Sequence, residues 1–199
     1  MQDLNLPTLF LHQCWVKSSD NDKAYRSYKL LSEARKVNRA FDRKDLLIAY
    51  NSLLNSCANS TKSGAYDAFQ IALDAYKDVQ NSCSVNADHI TYATFLKVCG
   101  IFIDNDNERS VIVRKVFKRC CEDGQVSNIV LRALHASSCE DEYCRLLEGA
   151  FKKGCVSINE VPLEWTCNVP VSNNKTRFLS SATKSLSHSQ YNMFKKLCK

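Results

Sequence analysis

Turn-forming residues are scarce in this chain, whose 199 residues include only 5 Gly and 3 Pro. A many-stranded sandwich or barrel needs such a residue about every 8 to 12 positions, so that class is excluded. Long apolar runs are missing too: Ile101-Phe102-Ile103 and Leu46-Leu47-Ile48 are closed off by charges within a few positions. A membrane span needs ~18 apolar residues in succession, and no partner membrane is expected. The first ten residues hold Asp3 and no Lys or Arg, so no secretory leader is read there, and the odd number of cysteines, 11, is expected as reduced thiols in an intracellular protein. Acids are absent from residues 165–199, which carry Lys175, Arg177, Lys184, Lys195, Lys196 and Lys199. The net charge of +6 therefore belongs to the tail, and the body is neutral.

What is abundant is apolar residue, at 45%, and it recurs in a pattern. The motif Φ-Leu-x-x-Cys returns as Phe10-Leu11-His12-Gln13-Cys14, Leu53-Leu54-Asn55-Ser56-Cys57 and Phe95-Leu96-Lys97-Val98-Cys99, with a degenerate copy at Val130-Leu131-Arg132-Ala133-Leu134. The steps are 43, 42 and 35 residues. A second family of segments, around Ala24-Tyr25 and Ala65-Tyr66, repeats at an offset of 41. In both families apolar residues recur in steps of three and four, the stripe of an amphipathic helix. Polar runs such as Ser18–Asp22, Asn59–Gly64 and Asp104–Asn107 fall between the stripes. The spacing predicts four helical hairpins, with first helices near 5–17, 47–58, 89–103 and 127–137 and second helices near 22–41, 65–82, 107–122 and 139–151. One such hairpin cannot bury its apolar face alone, so the copies are expected to stack into an all-α solenoid with a concave surface. Cys14, Cys57 and Cys99 are expected as small buried hydrophobes at close helix contacts.

The organisation read from this is an N-terminal helix of a partial repeat at 1–21, repeats over 22–151, an extended capping segment at 152–171 anchored by Trp165, and a basic, partly disordered tail at 172–199 with a short helix at 189–197. Catalytic signatures are missing: there is no Gly-x-Ser-x-Gly elbow, Gly-rich phosphate loop or His-Glu-x-x-His, and no catalytic residue is assigned. Metal is not assigned either, since His135, Cys139, Cys144 and Cys155 lack the close Cys-x-x-Cys spacing of a zinc site, and no cofactor is expected. The loop Asp104–Glu108 lacks the central Gly of a calcium loop and reads as a helix cap. The aromatic stripe Tyr66, Phe69, Tyr76 reads as core, and basic clusters (Arg114, Lys115, Lys118 and Arg119; Arg35, Lys36, Arg39, Arg43 and Lys44) read either as solvated helix faces or as phosphate contacts.

Asp88-His89-Ile90-Thr91-Tyr92-Ala93-Thr94-Phe95-Leu96, and next Leu47-Ile48-Ala49-Tyr50-Asn51-Ser52-Leu53-Leu54, resemble the pentatricopeptide repeat (PPR) family. With Val116-Phe117-x-x-Cys120-Cys121-Glu122-Asp123-Gly124-Gln125-Val126 and Pro162-Leu163-Glu164-Trp165, the chain is similar to a PPR-like branch abundant in microalgae. The resemblance covers about 22–151, and more weakly 5–21, and implies a right-handed α-solenoid of about four hairpins, a PPR-like or TPR-like superhelix. It further implies a non-catalytic protein that binds single-stranded RNA in an organelle, mitochondrion or plastid. In the family one base per repeat is read by the residue after the first helix's Tyr and by the repeat's last residue. Those positions are Asn51, Ala93 and Asn128, and Asp88 and Asp123. Ser127 stands where the fourth Tyr belongs. Lys97, Arg114, Lys115 and Lys118 complete the expected RNA-binding set. The alternative is a scaffold that binds another protein on the same concave surface.

Overall fold

The computed structural model describes residues 22–37, 42–61, 68–147 and 156–170. Among these the fold is helical throughout, with no strand. The helices are α1 (Lys23–Val37), α2 (Arg43–Ala58), α3 (Ala68–Asn81), α4 (His89–Phe102), α5 (Asp106–Glu122), α6 (Asn128–Ser137) and α7 (Glu140–Leu146), followed by a 3₁₀ turn at Leu163–Thr166. The expected first helix near 5–17, the ends of the second helices at 38–41, 65–67 and 148–151, and the tail helix lie outside the described residues.

Local chemistry explains the boundaries. Asp88 starts α4 as a capping box: its carboxylate accepts from the Ile90 and Thr91 amides, and the Thr91 hydroxyl accepts from the Asp88 amide. Asn105 caps α5 by accepting from the Asn107 and Glu108 amides, the role expected of the Asp104–Glu108 loop. Just past the Asp123 cap of α5 comes Gly124, whose φ of +65° is open to glycine and strained for other residues. A Cβ there would lie 2.5 Å from Cys167 Sγ, so the backbone of this turn and the C-terminal segment need glycine together.

Every substantial contact between two α-helices joins elements at most two apart in the chain, and the 3₁₀ turn folds back onto α5. Helices α2, α4 and α6 lie side by side, with α4 in the middle making the most extensive contact, to α6. Pairs between α2 and α4 ascend together, from Asn51 with Thr91 to Asn59 with Lys97, so these two helices run parallel. Gly100 lets α4 and α6 approach closely, since a Cβ would sit 3.1 Å from Ser137 Cα. The shared core includes Leu53, Leu54, Cys57, Phe95, Leu96, Cys99, Leu131 and Leu134, each no more than 1% exposed. Full burial of one such side chain stabilises by about 1.5–3 kcal/mol. Tyr76 stacks flat on Phe95 at 4.2 Å, which turns that part of the aromatic stripe into the core. Burial pushes the Cys57 and Cys99 thiols up to about 12, so they remain neutral packing groups.

The segment expected to be extended is folded into turns instead, the first closed by the Glu160 amide donating to the Ser157 carbonyl. Pro162 has a fixed φ and no N–H, and the chain after it closes into a 3₁₀ turn in which the Trp165 amide donates to the Pro162 carbonyl. Trp165 then packs edge-on against Phe117, while its carbonyl accepts from the Val126 amide at 2.7 Å. Asn168 ties the same segment to the Asp123 and Gly124 carbonyls.

Candidate nucleic-acid interface

The second helical repeat places Asn51 in the middle of α2 and Asp88 at the start of α4, 37 residues apart in sequence. Asn51 Nδ2 donates to Asp88 Oδ1 at 3.1 Å, so the two residues expected to act together do meet. The Thr91 hydroxyl, fully buried, joins them: it donates to Asn51 Oδ1 at 2.7 Å and lies 2.9 Å from Asp88 Oδ1. Asn51 and Asp88 are themselves half-buried, at the rim of the groove between parallel helices. Beside them Ile90 is 42% exposed, an apolar surface next to hydrogen-bonding groups. Further along the same junction Lys97 is exposed, and its Nζ reaches Asn59 Oδ1 at 3.5 Å.

The next pair behaves differently. Asp123 is the C-cap of α5, and its carboxylate is engaged on both oxygens: the Tyr92 hydroxyl donates to Oδ2, and Arg119 Nε lies 3.3 Å from Oδ1. Gln80 donates to the same tyrosine oxygen at 3.1 Å. Burial, followed by the bond to Asp123, raises the Tyr92 pKa well above the ordinary tyrosine range. Ala93, at the position matching Asn51, is buried and has no polar side-chain atom. Asn128 is exposed at the first position of α6, where its carbonyl accepts from Arg132 Nε at 3.4 Å. A parallel arrangement holds Tyr50: Arg35 Nη1 donates to its oxygen at 2.8 Å, and its hydroxyl donates to Asp78 Oδ2 at 3.1 Å. Burial pushes that hydroxyl up to about 12.

The expected cations divide. Arg114 is half-exposed but committed: its guanidinium holds Glu142 at 2.9–3.1 Å through three contacts, and Arg145 takes the other side of that carboxylate at 2.9 Å. Glu142 is 3% exposed, so this arginine bridges α5 to α7 and neutralises a buried charge. Arg119 faces Glu122 and Asp123. Lys115 and Lys118 are exposed on α5, and Lys118 lines a cleft of about 730 Å³ with Phe117, Leu146 and Trp165, together with charges of both signs from Arg114, Arg145, Glu122 and Glu164. Arg35 is bound to Tyr50 and Asp78. Arg39 and the tail cations lie outside the described residues.

No family model matches the chain, and neither a curated protein nor a solved structure does. Its chemistry is therefore read from its own geometry. Among the described residues no three His, Cys, Asp or Glu side chains gather as metal ligands, and His135 faces the Tyr143 ring at 4.8 Å and Glu140 at 3.6 Å. No described helix is long and apolar enough to cross a membrane. Three residues at the candidate interface were missed by the sequence reading: Ile90, Thr91 and Asn59. Ile90 was legible as an apolar residue off the buried stripe of α4, whereas the Thr91 and Asn59 contacts link positions about 40 residues apart.

Proposed function

We propose that the chain is a non-catalytic helical-repeat protein that binds single-stranded RNA along the exposed face of α2, α4 and α6. The observation that carries the reading is the half-buried Asn51–Asp88 pair at the junction of two parallel helices, with the exposed Ile90 following Asp88 in the chain and Lys97 further along the same junction. Single-stranded bases are recognised by such combinations: a side chain that meets the base edge, an apolar surface for its face and a cation for its phosphate. The reading includes a PPR-like right-handed solenoid, supported by contacts confined to near neighbours and by the parallel layer of alternate helices. Phosphate attraction is local, resting on Lys97 of α4 and on Lys115 and Lys118 of α5, which packs against α4, because the body is electrically neutral.

Selection from a pool of random single-stranded RNA, repeated at two salt concentrations, tests this. The expected result is retention that falls with salt, with Asn51→Ala changing base preference at one position and Lys115→Ala weakening all sequences alike. Protein-protein scaffolding is the second reading, favoured by the cleft that Phe117, Leu146 and Trp165 line. RNA retention equal to that of an unrelated neutral protein overturns the first reading in favour of the second.

A further inference from the structure

The hydrogen-bond distances around Asn51 carry one step more, which rests on the RNA-binding reading. Thr91 Oγ1 reaches the amide oxygen at 2.7 Å, and Asp88 Oδ1 reaches the amide nitrogen at 3.1 Å, yet those two partner atoms are only 2.9 Å apart. Partners so close together both sit on the amide edge where N–H and C=O point the same way. The edge that would grip a base at two points is therefore closed into a ring by the protein itself. The hydroxyl has one proton. Asp88 Oδ1 already accepts from Ile90, Thr91 and Asn51, so the Thr91 proton goes to the nearer oxygen, that of Asn51. Flipping the amide would set its oxygen against the Asp88 carboxylate, which is repulsive.

We infer that Thr91 is a positioning residue for RNA recognition: it pins the Asn51 amide in one orientation, so that one N–H and one carbonyl lone pair, diverging from each other, face the groove. A base then meets Asn51 through a single hydrogen bond of fixed direction. One such bond discriminates among bases by about tenfold. Thr91 touches no base, and its effect is transmitted through Asn51.

The test compares Thr91→Ser, which keeps the hydroxyl, with Thr91→Val, which keeps the shape and loses it. Two readouts are taken on the full chain: base preference at the Asn51-dependent position, from binding of single-stranded RNA oligomers varied at that position, and water exchange of the Asn51 side-chain amide protons by NMR without RNA. The expected result is that Thr91→Ser retains a preference within about twofold of the parent, while Thr91→Val reduces it from about tenfold to less than about twofold with its salt dependence unchanged. Asn51 exchange should be slower than that of the exposed Asn86 amide in the parent and the serine variant, and should accelerate in the valine variant. Preference preserved in Thr91→Val, or exchange equally fast in all three proteins, overturns the positioning role. Slow exchange that depends on Thr91, with no base preference in any of the three, overturns the RNA reading and with it the recognition role, while leaving the amide ring intact.

Discussion

The α2–α4 and α4–α6 junctions begin from the same sequence idea and end in different chemistry. At the first, Asp88 caps a helix and holds an amide at the surface. At the second, Asp123 closes α5 and is taken up by Tyr92 and Arg119, while the residue matching Asn51 is a buried alanine. An acid at the end of a repeat can thus serve the proposed recognition only where its oxygens are shared with a half-exposed group such as the Asn51 amide. Where a buried tyrosine hydroxyl and an arginine claim both oxygens, the same residue becomes structural.

The largest expected effect removes what both junctions share. Leu96 is fully buried on the central helix, and Leu96→Ala should cost about 2–5 kcal/mol in a denaturant melt, loosening the two junctions together. Survival of the α2–α4 contacts while α4–α6 melts would break the view that α4 couples them. Next comes the support behind α5: Arg114→Ala leaves the buried Glu142 with Arg145 alone, at a cost of about 1–3 kcal/mol, less than for a fully buried pair because the arginine is half-exposed. Adding Glu142→Gln should recover part of that loss, since the uncompensated charge is then gone. If instead Arg114→Ala leaves stability intact and weakens RNA binding at all sequences, this arginine belongs with the phosphate contacts. Smaller still, Tyr92→Phe should cost about 1 kcal/mol and leave base preference unchanged, whereas Asn51→Ala should shift preference with little loss of stability. A change in base preference in Tyr92→Phe would show that Asp123 reads bases once released, and would sharpen the contrast into one of occupancy.

How much of this was legible in the sequence follows from distance along the chain. The Φ-Leu-x-x-Cys stripes placed the helices closely, because burial of Leu54, Cys57, Leu96 and Cys99 is a property of one helix face. Helix α2 begins at Arg43, earlier than its apolar stripe suggests, since a helix extends into polar residues that periodicity does not register. The Asn51–Asp88 meeting came from the family resemblance, and the geometry brings the pair together while adding Thr91, whose three-residue spacing from Asp88 fits a capping box but whose contact with Asn51 no spacing rule gives. Arg114 was unreadable for the same reason: its basic cluster looks uniform in sequence, and only folding puts the buried Glu142 opposite one member. Pro162 read as part of an extended segment, and the turn after it is held by Trp165 packing on Phe117, a contact about 50 residues long in sequence.

The mildest test uses pH to separate the two junctions. His89 occupies the first position of α4, 5% exposed, and its burial lowers the imidazole pKa despite the opposing pull of Asp88. The unfolded imidazole, near 6.5, binds a proton more readily than the folded one, so protonation favours the unfolded chain. His89 therefore contributes its full stability above about pH 6.5 and loses it as pH falls below that value, by no more than about 1.4 kcal/mol per unit. The start of α6, Ser127-Asn128, has no titratable side chain. Between pH 7.5 and 5.5 the Asn51 amide network should loosen before the α4–α6 contact does, as read by amide exchange at Asn51 and at Leu131, and His89→Gln should flatten the difference. Equal loosening at both positions, unchanged in the glutamine variant, would place the pH-sensitive group elsewhere and remove His89 from the account of the first junction.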